Sequence, residues 1–323
     1  MCTMKKKFQM IGFALSVLLV TLPVATVGAD NAASGKQKKE KTTESALGVK
    51  PVTGSWINLA YKDVRNKYTN PQSFDNMDPK LWEAKVRELS AMGIEYLVLM
   101  EVANEGKSYY PSQIMPWWYN KDKKSPVDAI LDEAAKHNMK IFMSSGWAKD
   151  QDDNLLDPAI KERQLRIMEE LASLYKNHKA FYGWYLPVED CLCPIFAEHA
   201  VQSVNTLSEK AKKLAPGKKT LISPYGIGLS EFDNPEYEKQ MQKLKVDIIA
   251  YQDEVGCVRD QFTLPRLKKN WQRLRDIHNR LNIEMWANCE TFTWEEGTND
   301  RTSALIPAAY PLSLIHISEP TRP

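Results

Sequence analysis

Seven short apolar segments alternate with helix-forming segments between residues 55 and 289, and this alternation restricts the fold more than any other feature. The apolar segments have the length of strands and are apolar on both faces, as strands of a sheet covered on both sides must be. The predicted strands are Ser55–Tyr61, Ile94–Met100, Met139–Ser144, a strand that begins at Ala180, Lys219–Pro224, Val246–Tyr251 and Ile283–Cys289.

Six helices are predicted between these strands, and most begin at a polar residue followed by proline. The polar side chain caps the first backbone amides, and proline is favoured in the first helical turn. Four helices show this pair, at Asp78-Pro79, Ser125-Pro126, Asp157-Pro158 and Asn234-Pro235. The other two helices are predicted to begin at Pro194 and at Pro265.

Strands that alternate with helices in this way form a parallel sheet with crossover helices, so the fold class is α/β. Two architectures fit, an open doubly wound sheet and a closed (β/α)8 TIM barrel. The barrel is favoured, because the number of units is nearly eight and no glycine-rich phosphate loop follows a strand. The barrel is expected to span residues 51–310.

The eighth strand of such a barrel is not found in the sequence. The chain runs from Glu290 to Tyr310 without another strand–helix unit, and residues 311–323 do not look like native protein. We therefore expect a barrel that is truncated before strand eight. A barrel without its last strand would expose two unpaired strand edges.

Residues 1–29 are predicted to be a secretory signal peptide, because Lys5–Lys7 precede an apolar run that ends in small residues. A retained N-terminal anchor is the alternative. Residues 30–50 are polar and are predicted to be a disordered linker. The mature protein is expected to be secreted or periplasmic, with no membrane span after removal of the signal. The formal net charge is +2. Nothing in the sequence therefore suggests a nucleic-acid partner, since binding one requires a basic face or domain.

The ends of the predicted strands carry carboxylates, amides and aromatic rings, but no histidine. In a (β/α)8 barrel the catalytic groups lie at these carboxyl ends. The sequence offers no histidine cluster for a metal, no Gly-x-Ser-x-Gly turn and no lysine at a strand end. We expect no metal and no cofactor, and the four histidines on helices are expected at surfaces or helix ends: His137, His178, His199 and His278.

Two glutamates are the candidate catalytic residues. Glu189 ends the strand rich in aromatic residues that begins at Ala180, and Glu290 follows the seventh strand. A carboxylate at the end of a buried strand is costly unless it is paired or used. Paired carboxylates beside aromatic rings suit the cleavage of glycosidic bonds, so a carbohydrate substrate is expected.

Aromatic and polar side chains near these glutamates are expected to bind the sugar. Aromatic rings stack on sugar faces, and amides and carboxylates bind hydroxyl groups. The long segment 102–124 is rich in aromatic residues, which is typical of a functional loop, although any one of its rings could instead anchor the loop. The candidates are Trp117, Trp118, Trp147, Trp184, Tyr225, Gln252, Asp253, Trp286 and Asn288.

Four cysteines remain after the leader and all fall on the side of the sheet where the candidate site lies: Cys191, Cys193, Cys257 and Cys289. In an exported protein a disulfide is the default, and four cysteines permit three pairings. A metal site of four cysteines is a weaker alternative.

Four motifs resemble those of a secreted bacterial, glycosidase-like barrel family that was long catalogued as a domain of unknown function. They are Gly183-Trp-Tyr-Leu-Pro-Val-Glu189, Ile222-Ser-Pro-Tyr225, Tyr251-Gln-Asp-Glu-Val-Gly256 and Trp286-Ala-Asn-Cys-Glu-Thr-Phe292. The chain also resembles the clan of retaining (β/α)8 glycosidases with glutamates on strands four and seven.

This resemblance implies that Glu189 is the acid/base and Glu290 the nucleophile of a double displacement. The clan has an asparagine directly before the acid/base, and that asparagine holds the sugar 2-hydroxyl. This chain departs from the clan there, because it has Val188 at that position. Two other functions fit the sequence. One is a non-catalytic carbohydrate-binding barrel, in which the aromatic residues matter and the glutamates do not. The other is a barrel enzyme of different chemistry, such as a lyase or esterase.

Overall fold

The computed structural model describes residues 52–59, 78–147, 154–190, 192–256, 263–294 and 305–307. The predicted signal peptide, the linker and the non-native tail lie outside these residues, as do Cys191 and Cys257. The signal peptide, the disulfide pairing and the truncation therefore stay predictions.

Seven strands form one parallel sheet in the order β1-β2-β5-β6-β7-β8-β9. This confirms the parallel α/β architecture, and every predicted strand is present. The strands of the sheet are β1 Gly54–Ile57, β2 Tyr96–Leu99, β5 Lys140–Ser144, β6 Phe181–Tyr185, β7 Lys219–Ile222, β8 Ile248–Gln252 and β9 Glu284–Asn288. Two short antiparallel pairs lie outside the sheet, β3 Ala103–Asn104 with β4 Lys107–Ser108, and β10 Phe292–Trp294 with β11 Leu305–Pro307.

Six helices connect the strands of the sheet in the part of the chain that the structure describes: α1 Pro79–Ala91, α2 Pro126–Lys136, α3 Pro158–Tyr175, α4 Glu198–Leu214, α5 Pro235–Lys243 and α6 Leu264–His278. The four predicted capping pairs are confirmed, since each capping side chain accepts a hydrogen bond from a backbone N–H of the first turn. Within the described ranges, no helix combines the length and apolar character needed to cross a membrane.

The fourth helix begins later than predicted, at Glu198 instead of Pro194. The preceding segment is held against helix α5 instead. The carbonyl of Pro194 accepts from the N–H of Glu231, and Phe196 stacks on Tyr237 with ring centroids 5.8 Å apart. These contacts fix the backbone of this segment outside the helix, and a helix starting at Pro194 would break them.

The sheet is curled like a TIM barrel. Tyr96 on β2 and Trp286 on β9 have ring centroids 5.2 Å apart, although five strand spacings separate their strands. In a flat sheet that separation would be about 24 Å. The sheet therefore bends until residues of distant strands meet inside it.

The bend divides the apolar side chains into two clusters. The larger cluster lies between the sheet and the helices. The smaller cluster fills the inside of the curl and contains Val98, Met100, Phe142, Trp147, Tyr185, Leu221, Ile248 and Ala250, with Trp56, Tyr96, Tyr182 and Trp286 packed against it.

The sheet is not closed within the described residues, where β1 and β9 form its two edges. The architecture is thus a seven-stranded, TIM-barrel-like half-barrel. An eighth strand and complete closure stay a prediction.

Candidate active site

The carboxyl ends of the strands gather five carboxylates at one end of the half-barrel. Glu101 follows β2, Glu189 follows β6, Asp253 and Glu254 follow β8, and Glu290 follows β9. All five have low exposure, and four of them are buried. Because buried carboxylates are costly unless they are hydrogen-bonded, this end of the sheet is the candidate active site.

Glu189 is held from below by a tyrosine of its own strand. The hydroxyl of Tyr185 donates a hydrogen bond to the Glu189 carboxylate at 3.0 Å. Tyr185 is fully buried inside the curl, and burial, followed by the charge of Glu189, raises its pKa well above the ordinary value. The phenol therefore keeps its proton and is a permanent hydrogen-bond donor to Glu189.

Glu101 is a second carboxylate near Tyr185 and Glu189, and it was not among the predicted site residues. Only 1% of Glu101 is exposed, and its side chain accepts a hydrogen bond from the N–H of Leu59 at 2.8 Å. Its charge also contributes to the raised pKa of Tyr185. Glu101 thus joins the ends of β1 and β2 beside Glu189.

Glu290 is fixed by the turn that follows β8. Its carboxylate accepts a hydrogen bond from the N–H of Gly256 at 2.7 Å, and its own N–H donates to the Asp253 carboxylate at 3.0 Å. The N–H of Asp253 donates in turn to the carbonyl of Asn288 at 3.1 Å. Glu290 and Asp253 therefore form one fixed unit.

Three polar side chains form a row between the strand ends. The amide of Gln252 donates to the carbonyl of Ser223 at 2.8 Å, and the amide of Asn288 donates to the Ser223 hydroxyl at 3.0 Å. Gln252 and Ser223 are buried, whereas Asn288 keeps partial exposure. The structure thus brings together Gln252, Asp253 and Asn288 of the predicted sugar-binding residues.

Glu254, which follows Asp253, has a strongly perturbed carboxyl group. Burial, reinforced by the charge of Asp253, raises its pKa to about 7. The N–H of Gly226 donates to its carboxylate at 2.6 Å, which opposes part of that rise. Strongly perturbed carboxyl groups in a cluster of this kind are typical of functional sites.

Trp147 lies inside the curl at the same end of the sheet. It is 6% exposed and packs in the inner cluster with Met100 and Tyr185. Its indole N–H points to the carbonyl of Pro187 at 3.5 Å, two residues before Glu189. Trp147 is therefore placed at the base of the site, with little of its ring exposed.

Trp184 does not belong to the site, contrary to the prediction. It is fully buried on the helix side of the sheet, where its ring meets Phe181 edge-on with centroids 5.1 Å apart. A ring without exposed surface cannot stack on a sugar.

Trp286 also differs from its predicted position at a strand end. It lies in the middle of β9, and its indole N–H donates to the Glu284 carboxylate at 2.7 Å, towards the amino end of the strand. Its ring packs against Tyr96 and Phe142 inside the curl. Trp286 fills the lower half of the half-barrel, below the carboxylates.

The rings of Trp117 and Trp118 are held by the protein. Trp117 stacks on Tyr119 with centroids 5.1 Å apart, and Trp118 stacks on Tyr109 at 6.1 Å. Both indole N–H groups donate to backbone carbonyls, and a lysine amine lies over each ring. These contacts favour the anchoring role that the sequence left open.

Tyr225 lies beside the segment that follows Glu189. Its N–H donates to the carbonyl of Asp190 at 3.2 Å, and its carbonyl accepts from the N–H of Leu192 at 2.8 Å. The Asp190 carboxylate is paired with His199 at 2.9 Å. His199 is exposed, and His278 is the last residue of helix α6, so both agree with the expectation of surface or helix-end positions, although His278 is buried.

Within the described ranges, no group of three or more histidine, cysteine or acidic side chains is arranged to hold a metal ion. The chemistry that this arrangement can perform is proton transfer and nucleophilic attack by carboxylates held at fixed positions.

Comparison with solved structures finds chains similar to this one. A proposed alpha-L-fucosidase from Bacteroides thetaiotaomicron superposes with a TM-score of 0.61 at 18% identity, over 86% of this chain and 84% of that chain. The intracellular xylanase of Thermoanaerobacterium saccharolyticum gives a TM-score of 0.42 at 15% identity, over 72% and 74%. An endoxylanase from a sugarcane soil metagenome gives 0.43 at 10%, over 77% and 69%.

Among curated proteins, none matches the sequence. A protein family does match, over residues 52–312, which includes the whole half-barrel and every carboxylate described above. Because this match covers most of the sequence, the chain belongs to the family described as Domain of unknown function (DUF4434).

Proposed function

We propose that the chain is a glycoside hydrolase that cleaves the O-glycosidic bond of a poly- or oligosaccharide with retention of configuration. One observation carries this proposal: two hydrogen-bonded glutamates, Glu189 and Glu290, stand at the carboxyl ends of the fourth and seventh strands of a TIM-barrel-like sheet. Retaining glycosidases need two carboxyl groups on either side of the scissile bond.

The roles are those of the retaining glycosidases that the chain resembles, with the acid/base at the end of the fourth strand and the nucleophile at the end of the seventh. In the first step the Glu290 carboxylate attacks the anomeric carbon, while the Glu189 carboxyl gives its proton to the leaving oxygen. In the second step the Glu189 carboxylate takes a proton from water, and the water oxygen displaces Glu290 from the anomeric carbon. The hydrogen bond from Gly256 orients Glu290 for attack, and the hydrogen bond from Tyr185 orients Glu189.

The shared fold is consistent with this class of substrate. The Bacteroides thetaiotaomicron protein at a TM-score of 0.61 is described as a proposed alpha-L-fucosidase. Its 18% identity supports the fold alone.

The test is a screen of 4-nitrophenyl glycosides with the wild type and three variants. Glu189→Gln and Glu290→Gln should each lower kcat by at least about a hundredfold, because each removes one of the two reacting carboxyl groups. Glu105→Gln is the matched control, since Glu105 is an exposed glutamate in the β3–β4 turn. Retention should be visible by NMR as a product with the anomeric configuration of the substrate.

Two results would contradict the proposal. Equal kcat for the wild type and both glutamine variants would exclude Glu189 and Glu290 as the reacting pair. A product of inverted configuration would mean that Glu290 acts as a general base on water and not as a nucleophile. A retaining mechanism requires the two carboxyl groups to be about 5 to 5.5 Å apart, against about 6.5 to 9.5 Å for inversion. If the wild type and both variants bind sugar but none of the three hydrolyses it, the chain is the non-catalytic carbohydrate-binding barrel.

We propose also that the enzyme acts outside the cytoplasm, after removal of residues 1–29. The basic residues Lys5–Lys7 and the apolar run behind them support this. N-terminal sequencing of the exported protein should begin at Asp30. An intact leader on protein recovered from the cytoplasm would contradict it.

A further inference from the structure

The backbone of Glu254 is in the left-handed region, with φ of 54°. This conformation is natural for glycine and unfavourable for a residue with a Cβ atom. Glu254 is one of three described residues other than glycine with positive φ, and the others, Glu105 and Asn138, lie in turns. Residues held in this way are frequent at functional sites, where the side chain is needed for a contact.

The side chain of Glu254 reaches across to the segment that follows β7. Its carboxylate accepts a hydrogen bond from the N–H of Gly226 at 2.6 Å, and only 9% of the residue is exposed. Gly226 itself has φ of 90°, so both ends of this contact have left-handed backbones. The contact therefore fixes two unusual turns against each other.

Through Gly226, the contact between Glu254 and Gly226 is connected to the backbone that follows Glu189. Gly226 follows Tyr225, whose N–H and carbonyl form the two hydrogen bonds to Asp190 and Leu192 described above. The backbone that leaves Glu189 is thus paired with the backbone that Glu254 holds.

Through its neighbours in the chain, Glu254 is also connected to Glu290. Asp253, immediately before Glu254, accepts from the N–H of Glu290 at 3.0 Å. Gly256, two residues after Glu254, donates to the Glu290 carboxylate at 2.7 Å. Residues 253–256 therefore contact Glu290 through their backbone and through Asp253, while Glu254 contacts the neighbouring segment.

We propose that Glu254 is a positioning residue that couples the two candidate catalytic carboxylates, by tying the turn that holds Glu290 to the backbone that follows Glu189. This inference rests on the proposed function, because it assigns Glu254 to the same site. Loss of the contact between Glu254 and Gly226 should let the two carboxyl groups move relative to one another.

The chemical need at this position is a hydrogen-bond acceptor, and it does not depend on the charge. Burial raises the pKa of Glu254 to about 7, so both protonation states are present near neutral pH. A protonated carboxyl group keeps its carbonyl oxygen as an acceptor for the N–H of Gly226. Glutamine supplies the same acceptor without the charge.

Three variants separate the contact from the backbone strain. Glu254→Gln keeps the acceptor, Glu254→Ala removes it, and Glu254→Gly removes it while relieving the backbone. Glu105→Ala is the control, since Glu105 has φ of 48° but an exposed side chain in the β3–β4 turn. Thermal unfolding shows that each variant is folded before it is used.

The first readout is amide hydrogen exchange of the peptides that contain Tyr225–Ile227 and Leu192, which needs no substrate. Exchange should be about tenfold faster in Glu254→Ala and Glu254→Gly than in the wild type, and unchanged in Glu254→Gln. The second readout is hydrolysis of the 4-nitrophenyl glycosides. In Glu254→Ala and Glu254→Gly, kcat should fall by about a hundredfold with KM nearly constant, and Glu254→Gln should retain activity.

Equal exchange in the wild type and all Glu254 variants would overturn the proposal, whatever their activity. Faster exchange together with an unchanged kcat would overturn the positioning role. If exchange follows the expected pattern while the wild type hydrolyses no glycoside, the tie through Glu254 is supported and the hydrolase assignment fails instead.

Discussion

Gly183 lies so close to the ring of Phe142 that a side chain would not fit between them. A Cβ atom at Gly183 would be 2.6 Å from the nearest ring carbon of Phe142 and 2.6 Å from the carbonyl oxygen of Lys219. Phe142 and Gly183 are paired across β5 and β6, directly after an irregularity in the register. This close approach sets the path of β6, the strand that ends below Glu189.

Gly183→Ala is therefore expected to destabilise the fold by about 1–3 kcal/mol, because the carbonyl of Lys219 is backbone and cannot yield as a flexible side chain would. Urea unfolding followed by tryptophan fluorescence measures this.

The control is Gly54→Ala in the same sheet, where a Cβ atom would come no nearer than 3.8 Å to the atoms of Tyr96. That variant should be unchanged or up to about 1 kcal/mol more stable, since alanine restricts the unfolded chain. Equal stability of both variants would show that the register of β6 does not depend on the glycine.

Tyr185→Phe should lower kcat/KM by about tenfold or more, because it removes the hydroxyl that donates to Glu189. The matched control is Tyr237→Phe, which removes the hydroxyl of another fully buried tyrosine, one bonded to Tyr251 on the helix side. Both variants should lose some stability, but only Tyr185→Phe should lose activity. Equal kcat/KM values would mean that Tyr185 supports the fold alone.

The fold was largely predictable from the sequence because its signals are local. Capping pairs such as Asp78-Pro79 and Asp157-Pro158 act within one helical turn, and the apolar strands are continuous. The pair Glu189 and Glu290 was proposed from its place after two strands. Its surroundings were not, because hydrogen bonds such as that between Gly226 and Glu254 join residues far apart in the chain.

The irregularity at β6 explains the wrong prediction for Trp184. Ile141 pairs with Phe181 and Phe142 pairs with Gly183, so β6 has one extra residue at Tyr182. An extra residue reverses the alternation of faces beyond it. Trp184 consequently faces the helices and Tyr185 faces the inside.

His278 should make the stability of the fold depend on pH. Its Nδ1 lies 2.9 Å from the carbonyl of Ile283, which can only accept, so Nδ1 carries the proton and Nε2 accepts from the Tyr251 hydroxyl at 2.9 Å. Burial is the main cause of a lowered pKa of His278, and the charge of Arg275 adds to it.

Above the pKa of the unfolded state, about 6.5, His278 is neutral in both states and its contribution to stability is complete. Below it the unfolded state binds a proton that the folded state does not. The free energy of unfolding should then fall by up to about 1.4 kcal/mol per pH unit until the folded pKa is reached. Urea unfolding from pH 8 to 5 should show a shallower decline for His278→Gln than for the wild type. If the free energy of unfolding falls with pH equally in the wild type and in His278→Gln, His278 is not the source of the pH dependence.

Glu170 on helix α3 is expected to hold the aromatic segment 102–124 in place. Its carboxylate accepts hydrogen bonds from the Tyr110 hydroxyl at 2.9 Å, the Ser112 hydroxyl at 2.6 Å and the N–H of Gln113 at 2.6 Å. Hydrogen bonds to a charged group are worth about 1.5–3 kcal/mol each. Glu170→Ala should therefore free this segment locally while the sheet stays folded.

Limited trypsin digestion measures that local opening, because Lys121, Lys123 and Lys124 are exposed in the same segment. Cleavage there should be about tenfold faster or more in Glu170→Ala, since proteolysis follows the population of the open form. The neighbouring Glu169→Ala is the control, because Glu169 is exposed and paired with Lys210 on the other side of the helix. The same cleavage rate in both variants would show that packing of the tryptophan rings, and not Glu170, holds the segment.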